Sequence, residues 1–69
     1  MIAPSVAAVA KVMADGRERT IQDLARATRL SDWSVRTALL RLEKHGLVTS
    51  AEIAQVNVYR AARPANGGM

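Results

Sequence analysis

Apolar residues recur every three or four positions in three stretches of the chain, which is the spacing of one helix face. The first stretch follows Pro4 and Ser5, and proline suits a first turn because its missing donor has no partner there. The apolar stripe of this predicted helix 1 comprises Ile2, Val6, Val9, Val12 and Met13. Asp15 and Gly16 form a stop signal, so we predict that helix 1 ends near Ala14.

Two more helices are predicted, and each is preceded by a side chain that can cap it. The Thr20 hydroxyl can accept from a backbone N–H three residues on, with Asp23 in the first turn. The apolar pattern of helix 2 ends near Thr28, and Ser31 is the N-cap candidate for helix 3, which runs to His45. The inward faces comprise Ile21, Leu24 and Ala25 in helix 2 and Val35, Ala38, Leu39 and Leu42 in helix 3.

Helical spacing gives way to period-two alternation after Gly46, which closes helix 3. Residues 56–59 alternate as a half-buried strand does. We therefore predict a hairpin of two strands over residues 47–51 and 55–60, joined by a turn at residues 52–55. The resulting fold class is mainly α with a small β-hairpin.

The remaining segments carry no apolar pattern that could pack against a core. Residues 16–19 are predicted to form a polar loop between the first two helices. Residues 62–69 contain Pro64 and two consecutive glycines, and they are predicted to form a flexible C-terminal tail. The chain is therefore expected to consist of one domain, residues 1–61, followed by that tail.

The composition favours a polyanionic partner and excludes several kinds of site. Ten Lys and Arg residues stand against six Asp and Glu residues, which gives a formal net charge of +4 over 69 residues. Nucleic acid is favoured, because the basic residues are not collected on one face of a membrane-binding helix. Cysteine is absent and His45 is the single histidine, which excludes disulfides, thiolate zinc sites and histidine-rich metal sites. No cofactor is expected.

The order helix, helix, turn, helix and hairpin resembles the winged helix-turn-helix family of DNA-binding domains. The residues that carry the resemblance are Thr20-Ile21-Gln22-Asp23-Leu24-Ala25, Leu30-Ser31, Val35, Leu39 and Leu42-Glu43-Lys44-His45-Gly46-Leu47-Val48. The resemblance extends over roughly residues 5–60. It implies three helices and a two-stranded wing, with helix 3 lying in the major groove of double-stranded DNA.

The same resemblance implies which residues of helix 3 meet DNA. Arg36 is expected to form two hydrogen bonds with guanine, and Thr37 to contact a base edge or a thymine methyl group. The residues expected at phosphates are Thr20, Ser34, Arg41 and Lys44. The expected function is that of a bacterial, phage or plasmid transcriptional regulator, cytoplasmic and associated with the nucleoid when it binds DNA.

Three features depart from the family pattern. Arg29 stands in the turn where the family often has glycine, so either the turn differs or Arg29 adopts a costly backbone conformation. Trp33 and Leu40 lie in the middle of the DNA-facing side of helix 3, where such side chains are more typical of a protein contact. The predicted wing, residues 49–57, contains no basic residue and one acidic residue, Glu52.

These departures keep a second function open, a winged helix that binds a protein and little or no DNA. In that alternative, for example, a phage-type factor docks on a host protein through Trp33 and Leu40. Packing of Trp33 against helix 2 or the start of helix 1 is a further alternative. No catalytic residue and no enzyme is predicted, because nucleophile elbows, paired catalytic carboxylates and phosphate-binding glycine loops are missing. One short recognition helix offers few base contacts, so we expect a homodimer formed through helix 1 or the hairpin edge.

Overall fold

The computed structural model describes residues 3–62, which form three helices and a three-stranded antiparallel sheet. In chain order the elements are α1 (Pro4–Met13), β1 (Arg19–Thr20), α2 (Ile21–Thr28), α3 (Asp32–Lys44), β2 (Val48–Ile53) and β3 (Val56–Ala61). The predicted helices 1, 2 and 3 correspond to α1, α2 and α3, and the predicted two-stranded wing corresponds to β2 and β3. The predicted fold class is therefore confirmed.

Two predicted caps fix where α2 and α3 begin. Thr20 Oγ1 accepts from the backbone N–H of Asp23 at 3.1 Å, and Asp23 Oδ2 accepts from the backbone N–H of Thr20 at 3.0 Å. This reciprocal pair holds the pKa of Asp23 below its ordinary value, chiefly through the Thr20 backbone N–H. Ser31 Oγ accepts from the backbone N–H of Ser34 at 3.1 Å and caps α3 in the same way.

The core is aliphatic and lies where the three helices meet the base of the sheet. Its buried residues are Val9, Met13, Leu24, Val35, Ala38, Leu39, Leu42 and Val48. Leu30 and Tyr59 pack against this cluster from the turn before α3 and from β3. Ile2, which the apolar stripe of helix 1 also includes, lies outside the described residues.

The prediction of a polar loop over residues 16–19 is wrong at its last residue. Arg19 and Thr20 form β1, which pairs with β3 opposite Tyr59 and Val58. The sheet order is β1-β3-β2, so the hairpin gains a third, short strand. Two residues are too few to show alternation. β1 forms because its backbone pairs with that of β3.

The hairpin turn is tighter than predicted. Ile53 pairs with Val56, so only Ala54 and Gln55 form the turn, and Glu52 belongs to β2. Both turn residues adopt left-handed backbone conformations, with φ of 52° and 67°, as a type I′ turn requires. Asn-Gly is the usual sequence for that turn, and its absence explains why the pattern placed the turn too broadly.

Arg29 adopts the costly backbone conformation that its position in the turn implies. Its φ is 63° and its ψ is 26°, which places it in the left-handed region at the end of α2. Its backbone N–H donates to the carbonyl of Ala25 at 2.8 Å and so closes the last turn of the helix. Arginine therefore occupies a left-handed position where glycine is the usual residue.

We expect Arg29→Gly to raise the free energy of unfolding by roughly 0.5–1 kcal/mol. Glycine removes a left-handed penalty of about 1–2 kcal/mol, and its greater freedom in the unfolded chain offsets about 0.5–1 kcal/mol of that gain. Urea unfolding followed by circular dichroism measures the change. Arg29→Ala is the control, since it removes the guanidinium and keeps the penalty. Equal stability of both variants would contradict the strain argument.

The pairing of β2 with β3 extends to Ala62, beyond the last residue of β3. The backbone N–H of Ala62 donates to the carbonyl of Leu47 at 2.9 Å, so the β2–β3 pattern continues one position past the strands. The rest of the predicted tail, residues 63–69, lies outside the described residues. Among the helices of residues 3–62, none has the length and apolar character needed to cross a membrane.

Candidate nucleic-acid interface

One side of α3 is buried and the other is open to solvent. Its buried residues are Val35, Ala38, Leu39 and Leu42. The opposite side exposes Trp33 and Leu40, at 73% and 61% of their surfaces, together with Arg36 and Lys44. Packing of Trp33 against another helix, one of the two explanations for this residue, is thereby excluded. An apolar and basic surface therefore runs along three turns of α3.

The exposed cations of α3 carry no ion pair within residues 3–62. The single salt bridge of that region joins Arg19 to Asp15, with nitrogen–oxygen distances of 2.7 and 2.8 Å. Arg36, Arg41 and Lys44 are exposed and make no such contact. Long cationic side chains on a solvent-facing helix can reach phosphates or base edges without first breaking an internal pair.

The Asp15–Arg19 pair ties the turn after α1 to β1. The Arg19 guanidinium, and then the backbone N–H of Arg17, hold the pKa of Asp15 far below its ordinary value. The same carboxylate raises the pKa of Arg19. The pair is a local contact that adds to the backbone pairing of β1 with β3.

Asp15→Asn should reduce the acid sensitivity of the fold. The carboxyl pKa is depressed in the native state, so its contribution to stability is complete above the unfolded value of about 4 and is lost as pH falls below it. We expect the drop in urea midpoint between pH 7 and pH 3 to be smaller in Asp15→Asn than in the wild type. Glu52→Gln removes the same charge from the exposed wing, and its urea midpoint should drop between pH 7 and pH 3 as much as that of the wild type. An equal drop in all three proteins would contradict the role given to the pair.

The hydroxyls predicted to meet DNA are already engaged within the domain, and this limits what each can do. Thr37 Oγ1 donates to the carbonyl of Trp33 at 2.8 Å, so only its lone pairs and methyl group remain for a base. Thr20 Oγ1 accepts from Asp23, and Ser34 Oγ accepts from Ser31 at 3.0 Å. Both Thr20 and Ser34 keep a proton that can be donated to a phosphate oxygen.

A contact between α3 and the wing gave no signal in the sequence. Ser50 Oγ of β2 donates to Glu43 Oε2 near the end of α3 at 2.9 Å. The bond links β2 of the wing to the last turn of α3. The two residues are separated by a helix end and a turn, so neither helical nor strand periodicity could have paired them.

The wing itself is neutral and apolar at its tip. Ile53 and Val56 face each other beside the turn, and about half of each side chain is exposed. Glu52 is the single charged residue of β2. No group of three or more potential metal-ligating side chains occurs among residues 3–62. Since the wing offers little positive charge, the exposed basic residues of α3 form the candidate surface for a polyanion.

The comparisons with known proteins identify the fold. Residues 4–52, well over half of the chain, match the RNA polymerase III subunit RPC82 helix-turn-helix domain family. The ST1889 protein of the thermoacidophilic archaeon Sulfolobus tokodaii has a TM-score of 0.83 and 24% identity, covering 96% of this chain and 67% of that one. No curated protein matches the chain.

Two further solved structures are similar over most of this chain. One is the homodimeric winged helix-turn-helix DNA-binding domain Mb0332 of Mycobacterium bovis, a possible ArsR-family transcriptional regulator, with a TM-score of 0.74 and 25% identity. The other is Lactococcus lactis ZitR in complex with DNA, with a TM-score of 0.77 and 17% identity. They cover 86% and 97% of this chain, which spans 54% and 47% of theirs, about half their length.

The matches agree with the architecture built from the residues. The matched family is a helix-turn-helix domain rather than an enzyme family, and its match runs from the start of α1 into β2. The three helices with their hairpin confirm the resemblance to winged helix DNA-binding domains. This chain belongs to the RNA polymerase III subunit RPC82 helix-turn-helix domain family and has the winged helix-turn-helix fold.

Proposed function

We propose that the chain is a DNA-binding transcriptional regulator that places α3 in the major groove of double-stranded DNA. The observation that carries the proposal is the exposed side of α3, where Arg36, Arg41 and Lys44 are free of ion pairs in the described region. The major groove is wide enough to admit a helix, and its edges carry the acceptors that arginine recognises. The net charge of +4 supports attraction to the polyanion.

The residues of the interface divide into two roles. Arg36 reads a guanine through its O6 and N7 atoms, and Thr37 accepts from a base amino group or contacts a thymine methyl group. The groups that bind phosphates and fix the position of the helix are Thr20, Ser34, Arg41 and Lys44. In this arrangement Trp33 and Leu40 pack against sugars and base edges beside the polar contacts.

We also propose that the regulator is of bacterial, phage or plasmid origin and that it acts as a homodimer. The Mb0332 domain is homodimeric, and ZitR was solved with DNA; both come from bacteria. A helix of 13 residues with a neutral wing offers few base contacts, so two copies on a two-fold site double the interface.

Fluorescence quenching of Trp33 tests where DNA docks. Trp33 is the single tryptophan, and its exposed indole becomes covered when α3 enters a groove. We expect duplex DNA to reduce quenching by acrylamide, a neutral quencher that DNA does not repel. The double variant Trp33→Phe/Arg60→Trp moves the reporter to the outer face of the sheet, where quenching should stay unchanged. DNA binding without protection of Trp33 would contradict docking through α3.

The exposure of Trp33 and Leu40 supports a second candidate function, docking of a protein on the same side of α3. Large exposed apolar residues beside arginine are the usual centre of a protein interface. In that case Trp33→Ala abolishes capture of the partner from a nuclease-treated lysate, and duplex DNA does not bind even at low salt. Binding of duplex DNA that Arg36→Ala weakens would favour the first function instead.

A further inference from the structure

Strand β2 lies at an open edge of the sheet. The order β1-β3-β2 leaves one side of β2 without a strand partner within residues 3–62. Edge strands are usually protected by proline, lysine, a bulge or a very short length. β2 has six residues in continuous register with β3, contains neither proline nor lysine, and carries Glu52 as its single charge. This edge is therefore available for pairing with another strand.

The backbone groups that face the open edge can be assigned. The Leu47 carbonyl accepts from the Ala62 N–H, so Leu47 directs this group toward β3. Alternate residues of an antiparallel strand direct their N–H and C=O groups to the same side. Val48, Ser50 and Glu52 therefore direct theirs away from β3. Ser50 and Glu52 are exposed and present two donors and two acceptors at this edge, whereas Val48 is 3% exposed and its groups are largely covered.

Two large apolar side chains stand at equal distances from the centre of this edge. Leu47 is 57% exposed and Ile53 is 52% exposed, and each lies three residues from Ser50. An antiparallel copy of β2 related by a two-fold axis at Ser50 places Ser50 opposite the partner's Ser50. The same register places Leu47 opposite the partner's Ile53, so that one contact covers both exposed side chains in each copy.

We propose that β2 pairs with β2 of a second copy of this chain, antiparallel and centred on Ser50, and joins two three-stranded sheets into one of six strands. A second copy fits better than an unrelated extended peptide, because the two-fold axis pairs the outward backbone groups of the exposed Ser50 in both copies and covers both apolar residues at once. The proposal deepens the homodimer of the proposed function and rests on it. A contact of one strand with its flanking side chains is small, so the dimer dissociates reversibly.

Sedimentation equilibrium of the full chain over a wide concentration range tests the pairing. Ser50→Pro removes an outward N–H that the β2–β3 pairing does not use, a position where edge strands tolerate proline. We expect it to raise the dimer dissociation constant at least about tenfold. Ser50→Ala is the matched control, since both variants lose the bond to Glu43, and it should dimerise as the wild type does. Circular dichroism checks that both remain folded.

A charge exchange tests the register. Leu47→Glu and Ile53→Lys should each weaken the dimer, and together in one chain they should restore part of it, because each glutamate then meets a lysine across the two-fold axis. A monomer at every concentration, a dimer that Ser50→Pro leaves unchanged, or no recovery in the double variant would overturn the proposal.

Duplex titrations of the same samples separate the pairing of β2 from the proposed DNA-binding function. DNA binding by a persistent monomer contradicts the pairing alone, and a dimer that ignores DNA contradicts the function alone.

Discussion

Arg36→Ala is expected to weaken binding to a duplex site selected from a random pool by about 1–3 kcal/mol, a loss of roughly 5- to 150-fold in affinity. Arg36 is exposed on the open side of α3 and makes no ion pair in the described region, so its removal breaks no internal salt bridge. Fluorescence anisotropy of labelled duplex measures the loss. The ratio of the affinity for the selected site to the affinity for a site with one guanine replaced should also fall.

Arg60→Ala is the matched control for this prediction. It changes the net charge by the same amount, but Arg60 lies beside Tyr59 on β3, and neighbouring residues of a strand point to opposite faces. Since Tyr59 packs on the core, Arg60 points to the opposite, outer face of the sheet. We expect a loss of affinity well below that of Arg36→Ala. Equal losses of affinity in the two variants would mean that Arg36 contributes only through its net charge.

Leu39→Ala is expected to lower the free energy of unfolding by about 2–5 kcal/mol, a large part of the stability of so small a domain. Leu39 is 1% exposed in the middle of the core. A domain of this length has a total stability of only roughly 3–10 kcal/mol, and alanine leaves a cavity that the neighbouring helices fill incompletely. Urea unfolding followed by circular dichroism gives the change.

Leu40, the next residue of α3, provides the control for Leu39→Ala. Leu40→Ala removes the same atoms from the same helix, but this leucine faces solvent, so we expect a change within about 0.5 kcal/mol. A loss at Leu40 as large as the loss at Leu39 would contradict the orientation of α3. That orientation also determines which side of the helix is open to DNA, so the pair tests the geometry of the interface.

The helices were predictable because their signals are local. Thr20 and Ser31 cap α2 and α3 through residues three positions away, and the apolar spacing of α3 identifies its buried side. β1 was missed because two residues carry no period and the strand depends on its partner β3. The turn at Ala54 and Gln55 lies within the predicted range of residues 52–55, which was too broad because neither turn residue favours the left-handed backbone that it adopts.

The candidate interface was predictable only in part. The helical pattern predicted the exposed side of α3, including Arg36 and Lys44, and the structure places both there. Periodicity could not show that Thr37 donates its proton to Trp33, or that Ser50 joins the wing to Glu43, because both depend on side-chain positions. The roles of these residues toward DNA stay predictions that binding experiments test.

The salt dependence of duplex binding tests the central claim most directly. Random duplex DNA is titrated into the full chain at low salt and again at several higher salt concentrations. If α3 and the groups around it neutralise about 4–8 phosphates, the logarithm of the affinity falls with the logarithm of salt concentration at a slope of about −4 to −7. Absence of binding at low salt would contradict the DNA-binding account and favour a protein partner at Trp33 and Leu40.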